Sequence, residues 1–419
     1  MSKNRSLKIG LFGFGVVGEG IYQVLKKTPG LDAEIKKICI KNPEKSRNAT
    51  AELFTTSADE LLNDEHINVI VELIDDANAA YSIVKKALLN GKSVVSANKK
   101  MIAEHLSELL DIQQNKEQLS LLYEAAVCGS IPVIRNLEEY FDNDLLQSFS
   151  GIVNGSTNFI LSRMNDDGLN YELALKEAQE LGFAESNPSL DVEGYDAVNK
   201  LAIVIKHAYG IYANPDVITR IGINKIHEFD TNYAKEKGYK IKLLAHASRN
   251  ESLVNAFVLP GFVNHEHKLY SVNKEFNGVV IGSSLADEQF LSGKGAGRFP
   301  TSSAVLSDIA ALRYGYKYEY KKQKQNPNIK FTNDVTLKVY LRYNNEEDLK
   351  NFKFESINEK YTGGEYHFVI GTIKLQNIID NKLYITKNKL FVASIGDEIK
   401  LNQELKKKNI AELAENLEN

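Results

Sequence analysis

The sequence has little cysteine: two residues, Cys39 and Cys128, among 419. That excludes a disulfide framework and a four-cysteine metal site, and it makes a reducing cytoplasm the expected compartment. Histidine is scarce too, with eight residues. His265 and His267 stand two apart in a turn, not four apart as in an H-E-x-x-H zinc site, so no transition-metal centre is expected. No apolar run approaches the ~18 residues of a membrane span. The polar, basic start Met1–Leu7 has no apolar segment behind it, so neither a membrane nor export is expected. An excess of positive charge is also missing. Lys and Arg number 51 against 55 Asp and Glu, a formal net charge of −4, which argues against nucleic acid as a partner. What remains is ordinary globular composition, 43% hydrophobic and 25% charged, in a chain long enough for two or three domains.

Short apolar runs alternate with helical spacing through the first part. Leu7–Gly13, Ile35–Ile40, Val69–Ile74, Ser93–Ala97 and Leu119–Tyr123 read as strands, and Val16–Lys26, Ala79–Leu89 and Leu106–Gln114 as helices. This alternation predicts βαβ units and a parallel sheet with both faces covered. From Gly151 the order changes. Helices at Phe159–Met164, Tyr171–Leu181 and Ala197–Tyr209 come first, and strands at Lys240–Ala247, Leu253–Leu259 and Val279–Ser283 follow, with a helix at Thr301–Tyr314. Grouped helices and strands predict an α+β domain. The polar stretch Tyr316–Lys330 reads as a linker. Beyond it, Val335–Tyr343, Tyr366–Leu375 and Leu390–Ser394 read as strands of a small third module, Asn345–Phe352 as a helix, and Gln403–Asn419 as a charged helix or tail. The expected fold class is α/β: a doubly wound Rossmann domain over 1–150, an α+β domain over 151–320, and an α+β module over 331–419.

Several clusters could carry chemistry. Gly13-Phe14-Gly15-Val16-Val17-Gly18 follows a strand and opens a helix. Gly13 suits the tight turn, Gly15 the approach of a pyrophosphate, and Gly18 close helix packing. Free N–H groups and the helix dipole favour an anion there. The acid expected ~20 residues on, which would bond a ribose hydroxyl, is missing. Lys41, Asn42, Lys45 and Arg47 stand there instead, which favours NADP(H) over NAD(H) unless these are solvated loop charges. Ser96-Ala97-Asn98-Lys99 places a lysine at the carboxyl end of a parallel strand, where ligands usually bind; a surface lysine is the plain alternative. Glu124 to Pro132 could present oxygens to a hard cation, and its Cys128 suits a small filler better than a nucleophile. Gly155-Ser156-Thr157-Asn158 could cap a helix or touch a ligand. Glu185, Asp191, Glu193, Asp196 and Lys200 form the densest polar cluster, with Asp196 and Lys200 one helical turn apart. A surface ion pair would explain those two alone, but carboxylates also suit an amino group and a lysine can donate a proton. Gly293 to Thr301 is either a plain loop capped by Thr301 or an anion contact through its N–H groups and Arg298.

In this order the motifs resemble homoserine dehydrogenase over about Lys8 to Gly315. The family's glycine fingerprint is followed by a T-A-N-K-like segment, here Ser96 to Lys99. An E-A-x-V-x-G segment follows, here Glu124 to Pro132, and then G-I-V-N-G-T-T-N, here Gly151 to Asn158. D-x-x-G-x-D-x-x-x-K stands at Asp191 to Lys200, and G-x-G-A-G-x-x-P-T at Gly293 to Thr301.

The resemblance implies reversible NAD(P)-dependent reduction of L-aspartate 4-semialdehyde to L-homoserine, a step in threonine, methionine and isoleucine biosynthesis. It implies Lys200 and Lys99 acting on the reacting oxygen, with Asp196 orienting it. Glu185 and Asp191 match acids for the substrate amino group, and Gly155, Ser156 and Thr157 the segment beside nicotinamide and substrate. Gly13 to Gly18, Asn98, Lys99 and Gly297, with Lys41 from the reading of the second strand's end, are the expected cofactor contacts. Glu124, Val127, Gly129 and Ile131 match a Na+ or K+ site made mostly of carbonyls. A cytoplasmic homodimer or homotetramer is implied, with a C-terminal ACT-like module that in relatives senses an end product such as threonine; here Asn344-Asn345 replaces the usual Pro-Gly turn, so a degenerate, non-sensing ACT-like module is expected. Two departures from the family matter: Asp75-Asp76 replaces a Gly-Gly pair, and Cys128 replaces a glycine. Another amino-acid-aldehyde dehydrogenase and a non-enzymatic NAD(P)-sensing regulator are the competing readings. Aspartate semialdehyde dehydrogenase is disfavoured because it needs a catalytic Cys with a His partner.

Overall fold

The computed structural model describes residues 6–116, 118–143, 145–325 and 328–401. The expected helix or tail at Gln403–Asn419 lies outside them. The chain divides into two compact units. The first comprises Met1–Asp144, Asn199–Pro215 and Leu291–Pro327; the second comprises Leu145–Val198, Asp216–Phe290 and Asn328–Asn419.

The first unit holds a six-stranded sheet of β1 (Leu7–Phe12), β2 (Ala33–Cys39), β3 (Phe54–Thr55), β4 (Val69–Glu72), β5 (Ser93–Ser96) and β6 (Leu121–Leu122). Its order is β3-β2-β1-β4-β5-β6, and every pair is parallel. β4 and β5 are buried along their whole length, because helices such as Ala77–Leu89 and Lys99–Gln114 cover the sheet. Strand order reverses between β1 and β4. The crevice beyond their carboxyl ends is where such sheets bind ligands, and Gly13 and Leu73 open it. The helix Arg298–Leu312 packs on Val16–Lys27: a Cβ on Gly20 would lie 2.4 Å from Ser302 Oγ, and that hydroxyl donates to Val17 O at 3.2 Å.

The second unit is built on an eleven-stranded sheet. Its strands are β7 (Leu146–Ile152), β8 (Thr219–Arg220), β9 (Tyr239–Asn250), β10 (Leu253–Asn264), β11 (Phe276–Ser283), β12 (Asp287–Lys294), β13 (Lys330–Phe331), β14 (Val335–Tyr343), β15 (Phe354–Thr362), β16 (His367–Lys374) and β17 (Phe391–Leu401). The main path runs β12-β11-β7-β9-β10-β17-β14-β16-β15, with β8 and β13 also pairing β10. The C-terminal module has the order β-α-β-β-α-α-β, an α+β module as expected, and it continues the same sheet through β10 and β17. Its core includes Phe257 and Leu259 of β10 beside Val339, Leu341 and Val369. Its first helix is one turn, Glu346–Leu349, capped by Asn345 with Asp348 reciprocating. No helix among the described residues is long and apolar enough to cross a membrane.

The segment expected as a linker is more ordered than a linker. Tyr318, Tyr320 and Lys322 are buried in the first unit, and Lys321–Gln325 is helical. Its alternating tyrosines supply apolar surface that a polar average over the stretch conceals.

Candidate active site

The glycine fingerprint separates into structural and open positions. Gly13 has φ +92°, and a Cβ there would lie 2.6 Å from Leu73 O. A Cβ on Gly18 would lie 2.3 Å from Gly13 O, whereas one on Gly15 would meet nothing within 4 Å. Gly13 and Gly18 therefore shape the turn, while Gly15 leaves room above it. Gly15 is also the N-cap of Val16–Lys27, and no side chain caps that helix. Its first N–H groups have no intrahelical acceptor. An uncapped helix end with open space at its glycine fits the pyrophosphate of a dinucleotide. Phe14 packs edge-on against Tyr22 and Phe54, beneath the end of β2. Lys41 is exposed there, and Arg47 lies over the Phe54 ring at 5.7 Å. Arg298, the cation after Gly297, pairs with Glu19 in the first turn of the fingerprint helix at 3.0 Å.

Lys99 is placed by buried polar groups at the ends of β4 and β5. Glu72 is completely buried. Its Oε1 accepts from Ile74 N–H at 2.7 Å and its Oε2 from Ser96 Oγ at 2.6 Å. Ser96 Oγ accepts in turn from Asn98 N–H at 3.1 Å. The Asn98 side chain caps Lys99–Gln114 through Met101 N–H and donates to Ile74 O at 3.0 Å. Lys99, the first residue of that helix, is half-buried. Burial pushes the Glu72 carboxyl up to about 7, against the bonds from Ser96 and Ile74. Asp76 of the Asp-Asp pair caps Ala77–Leu89 through Ala79 N–H, and Asp75 is exposed.

In the second unit Asn154 gathers two carboxylates. Its Nδ2 donates to Asp191 Oδ1 at 2.7 Å and to Asp196 Oδ2 at 2.8 Å. Its Oδ1 accepts from Thr157 N–H at 2.8 Å, capping Gly155–Asp167. Gly155 must lack a side chain, since a Cβ would lie 2.7 Å from Glu275 O. Ser156 Oγ donates to Phe183 O at 2.5 Å, and Thr157 Oγ1 to Asn154 O at 3.1 Å. Glu185 is exposed, and both Asn154 amide protons are already used, so Asn154 does not gather it. Asn154 itself is not among the expected site residues: the helix expected from Phe159 begins four residues earlier, at Gly155, which makes Asn154 its cap. Asp196 and Lys200 lie one turn apart on the helix Tyr195–Tyr209 and are only 4% and 8% exposed. Burial of both ends is not what a solvated i,i+4 pair shows.

Around the expected cation segment, the Glu124 carboxylate accepts from Ile134 N–H at 2.8 Å and Arg135 N–H at 2.9 Å. Burial, then the nearby Asp308, pushes its carboxyl up to about 8. Gly129 has φ +54°, and a Cβ would lie 2.4 Å from Gly295 O and 2.9 Å from Lys294 O. Ile131 O accepts from Val133 N–H at 2.8 Å. No group of three or more His, Cys, Asp or Glu side chains among the described residues is placed to hold a metal.

Comparison with known proteins decides the family. The model for the homoserine dehydrogenase NAD binding domain matches residues 13–124, and that for homoserine dehydrogenase matches 132–310. A homoserine dehydrogenase of Bacillus subtilis is 33% identical over 362 residues, 83% of each chain. The chain belongs to the homoserine dehydrogenase family. A solved homoserine dehydrogenase from Thiobacillus denitrificans is similar at a TM-score of 0.82 and 29% identity, over 93% of this chain and 98% of that one. A hyperthermophilic archaeal homoserine dehydrogenase mutant in complex with NADPH is similar at a TM-score of 0.64 and 25% identity, over 75% and 99%. Glu72 and Lys99 fall within the span matched to the family's NAD binding domain, and Asn154, Asp191, Asp196 and Lys200 within the second span. The strands β14 to β17 lie beyond both.

Proposed function

We infer that this chain is an NAD(P)-dependent oxidoreductase that interconverts L-aspartate 4-semialdehyde and L-homoserine, a step of amino-acid biosynthesis. The observation that carries this reading is the buried Asp196–Lys200 turn, with Asp196 tied by Asn154 to Asp191, in a chain of this family. A nicotinamide cofactor supplies a hydride to the aldehyde carbon, or accepts it in reverse. The chain's own part is binding, orientation and one proton. The uncapped helix end at Gly15 holds the pyrophosphate, and Phe14, Val16, Val17, Asn98 and Gly297 line the cofactor. Lys200 gives its Nζ proton to the aldehyde oxygen as negative charge grows there, and Lys99 polarises the same oxygen. Asp196 orients the reacting group. Asp191 and Glu185 hold the substrate ammonium, beside Gly155, Ser156 and Thr157. Residues 1–150 serve the cofactor, 151–320 the substrate and the subunit contact, and 331–419 form the ACT-like module.

NADP(H) is proposed over NAD(H). The support is the absence of an acid at the very end of β2, where Ile40, Lys41 and Asn42 stand with Lys45 and Arg47 beyond, and the NADPH carried by the archaeal relative. A Na+ or K+ ion at Glu124, Val127, Gly129 and Ile131 would be held by backbone carbonyls, since the Glu124 carboxylate already takes two backbone N–H groups. A cytoplasmic homodimer or homotetramer completes the proposal; both cysteines are free thiols, in keeping with a reducing compartment.

The test is homoserine-dependent reduction of NADP and NAD, measured side by side. Turnover with neither defeats the reading. Near-normal kcat in Lys200→Ala removes Lys200 as the donor and passes the role to Lys99. Light scattering decides the assembly.

A further inference from the structure

One largely buried polar chain in the first unit has no part in the chemistry above. His207 Nδ1 meets Glu138 Oε1 at 2.6 Å. His207 Nε2 meets the Tyr123 hydroxyl at 2.8 Å, and that hydroxyl meets the Tyr320 hydroxyl at 2.8 Å. Burial holds the imidazole below its ordinary pKa and both phenols well above theirs. Burial alone would raise Glu138, but His207, Tyr320 N–H and Lys322 reverse this and hold its carboxyl below the ordinary value. A neutral ring beside a carboxylate fixes every donor. Nδ1–H donates to Glu138, Tyr123 O–H donates to Nε2, and Tyr320 O–H donates to Tyr123.

The chain ties two segments together. His207 lies on the helix Tyr195–Tyr209, seven residues beyond Lys200. Seven residues are two turns, within ~20° of the same face. Tyr320 lies in the strap Tyr316–Gln325, which crosses the end of that helix. Lys322 Nζ donates to His207 O at 2.8 Å and Leu137 O at 2.6 Å, and Lys206 Nζ to Gln323 Oε1 at 2.7 Å. A Cβ on Gly210 would lie 2.4 Å from Gln323 N, so the strap's backbone rests directly on the helix end. Apolar packing tolerates small rotations of a helix. A buried hydrogen-bond chain with every donor assigned does not, because any slip leaves a polar atom unpaired.

We propose that the strap, acting through Tyr320, Tyr123 and His207, positions Lys200 by fixing the rotation and axial height of the helix that carries it. These are positioning residues, and the proposal rests on Lys200 as the proton donor. It gives the expected linker a role in catalysis. A displacement of ~1 Å at a reacting group can cost ~100-fold in rate, so a loosened helix end is read most directly in kcat.

The experiment uses the full chain. Tyr123→Phe removes one hydroxyl and keeps the ring; His207→Phe removes both imidazole bonds; Glu138→Gln keeps an acceptor for Nδ1–H; Lys200→Ala is the control. The expected result is a kcat loss of at least threefold in Tyr123→Phe and tenfold in His207→Phe, with KM for NADP within twofold of the parent. Glu138→Gln, which keeps the acceptor for Nδ1–H but turns a donor toward Tyr320 N–H, retains more of the kcat than Glu138→Ala. A kcat within twofold in Tyr123→Phe and, where it folds, His207→Phe, with only the melting temperature lowered, overturns the proposal. If Lys200→Ala abolishes turnover in that same set, the donor assignment stands and the positioning role alone falls. If Lys200→Ala retains kcat, the donor assignment itself fails.

Discussion

Ser96 Oγ donates to Glu72 Oε2 at 2.6 Å beneath the residues that begin the Lys99 helix. Two neighbouring strands are thereby pinned at their carboxyl ends, next to Asn98 and Lys99. Removing the acid leaves Ser96 and Ile74 N–H without their buried acceptor, which costs about 1–3 kcal/mol. Glu72→Ala is expected to lower kcat and the melting temperature together. Glu72→Gln can accept from Ile74 N–H and donate to Ser96 Oγ, and is expected to keep most of the kcat. Equal losses in the two variants would contradict the bonding described.

The pH dependence of stability follows from three buried carboxyls. Burial pushes Glu72 up to about 7, Asp308 to about 6 and Glu124 to about 8. An acid whose folded pKa exceeds its unfolded value binds its proton more tightly in the native state. Its stabilisation is present at pH below the unfolded value and is lost as pH rises through the folded value. The contribution of these three groups should therefore fall from pH 6 to pH 8, opposed above pH 7 by Lys242, whose ammonium burial lowers to about 7. The fall should be shallower in Glu72→Gln, with a difference on the order of 1–3 kcal/mol at pH 8. Circular dichroism melts across this range check it; identical slopes would remove Glu72 from the account.

The fingerprint glycines should divide by assay. Gly18→Ala forces a Cβ to 2.3 Å from Gly13 O and is expected to lower the melting temperature by several degrees. Gly15→Val meets open space in the protein and is expected to leave the melt unchanged while raising KM for the cofactor at least tenfold. A destabilised Gly15→Val would mean that the open space serves the fold rather than a ligand.

Asn154→Ala leaves Asp191 and Asp196 without their shared donor. Two like charges then face each other, and a helix cap is lost. KM for homoserine should rise and kcat fall, by about 10–100-fold in kcat/KM. Asn154→Asp keeps the shape and adds a third carboxylate, so its loss should be larger. A smaller loss in Asn154→Asp than in Asn154→Ala would show that capping, not charge spacing, is the main task of Asn154.

The C-terminal strands are held by a buried ion pair. Arg342 Nε donates to Asp230 Oδ1 at 2.9 Å, and Tyr340 donates to the same oxygen at 3.0 Å. Arg342→Met leaves Asp230 buried and uncompensated, at a cost of about 3–5 kcal/mol. A melting temperature unchanged in Arg342→Met would show that the module contributes nothing to the cooperative unit.

Sequence reading found the long, strongly patterned elements. Sequence reading places β14 at its observed ends, Val335–Tyr343, since eight of its nine positions are buried and force an apolar run. It missed β15, whose residues Phe354–Thr362 are mostly exposed; an edge strand gains its ladder from β16 without needing an apolar face. It also missed β12, a solvated strand of the same kind.

The sequence by itself determined the family's motifs and their order. Glycine spacing, Asn98-Lys99 and Asp196-x-x-x-Lys200 are local, because a tight turn, a cap and one helical turn each place their residues within a few positions. Only the tertiary structure decided which polar residues serve which others. Glu72 meets Ser96 across 24 residues, Asn154 meets Asp196 across 42, and Tyr123 meets Tyr320 across 197. Such partners are chosen by burial, where an unpaired polar group is costly and each must find a mate wherever the fold brings one. That requirement leaves no trace in spacing, which is why a stretch that reads as a linker turned out to hold the end of the Lys200 helix.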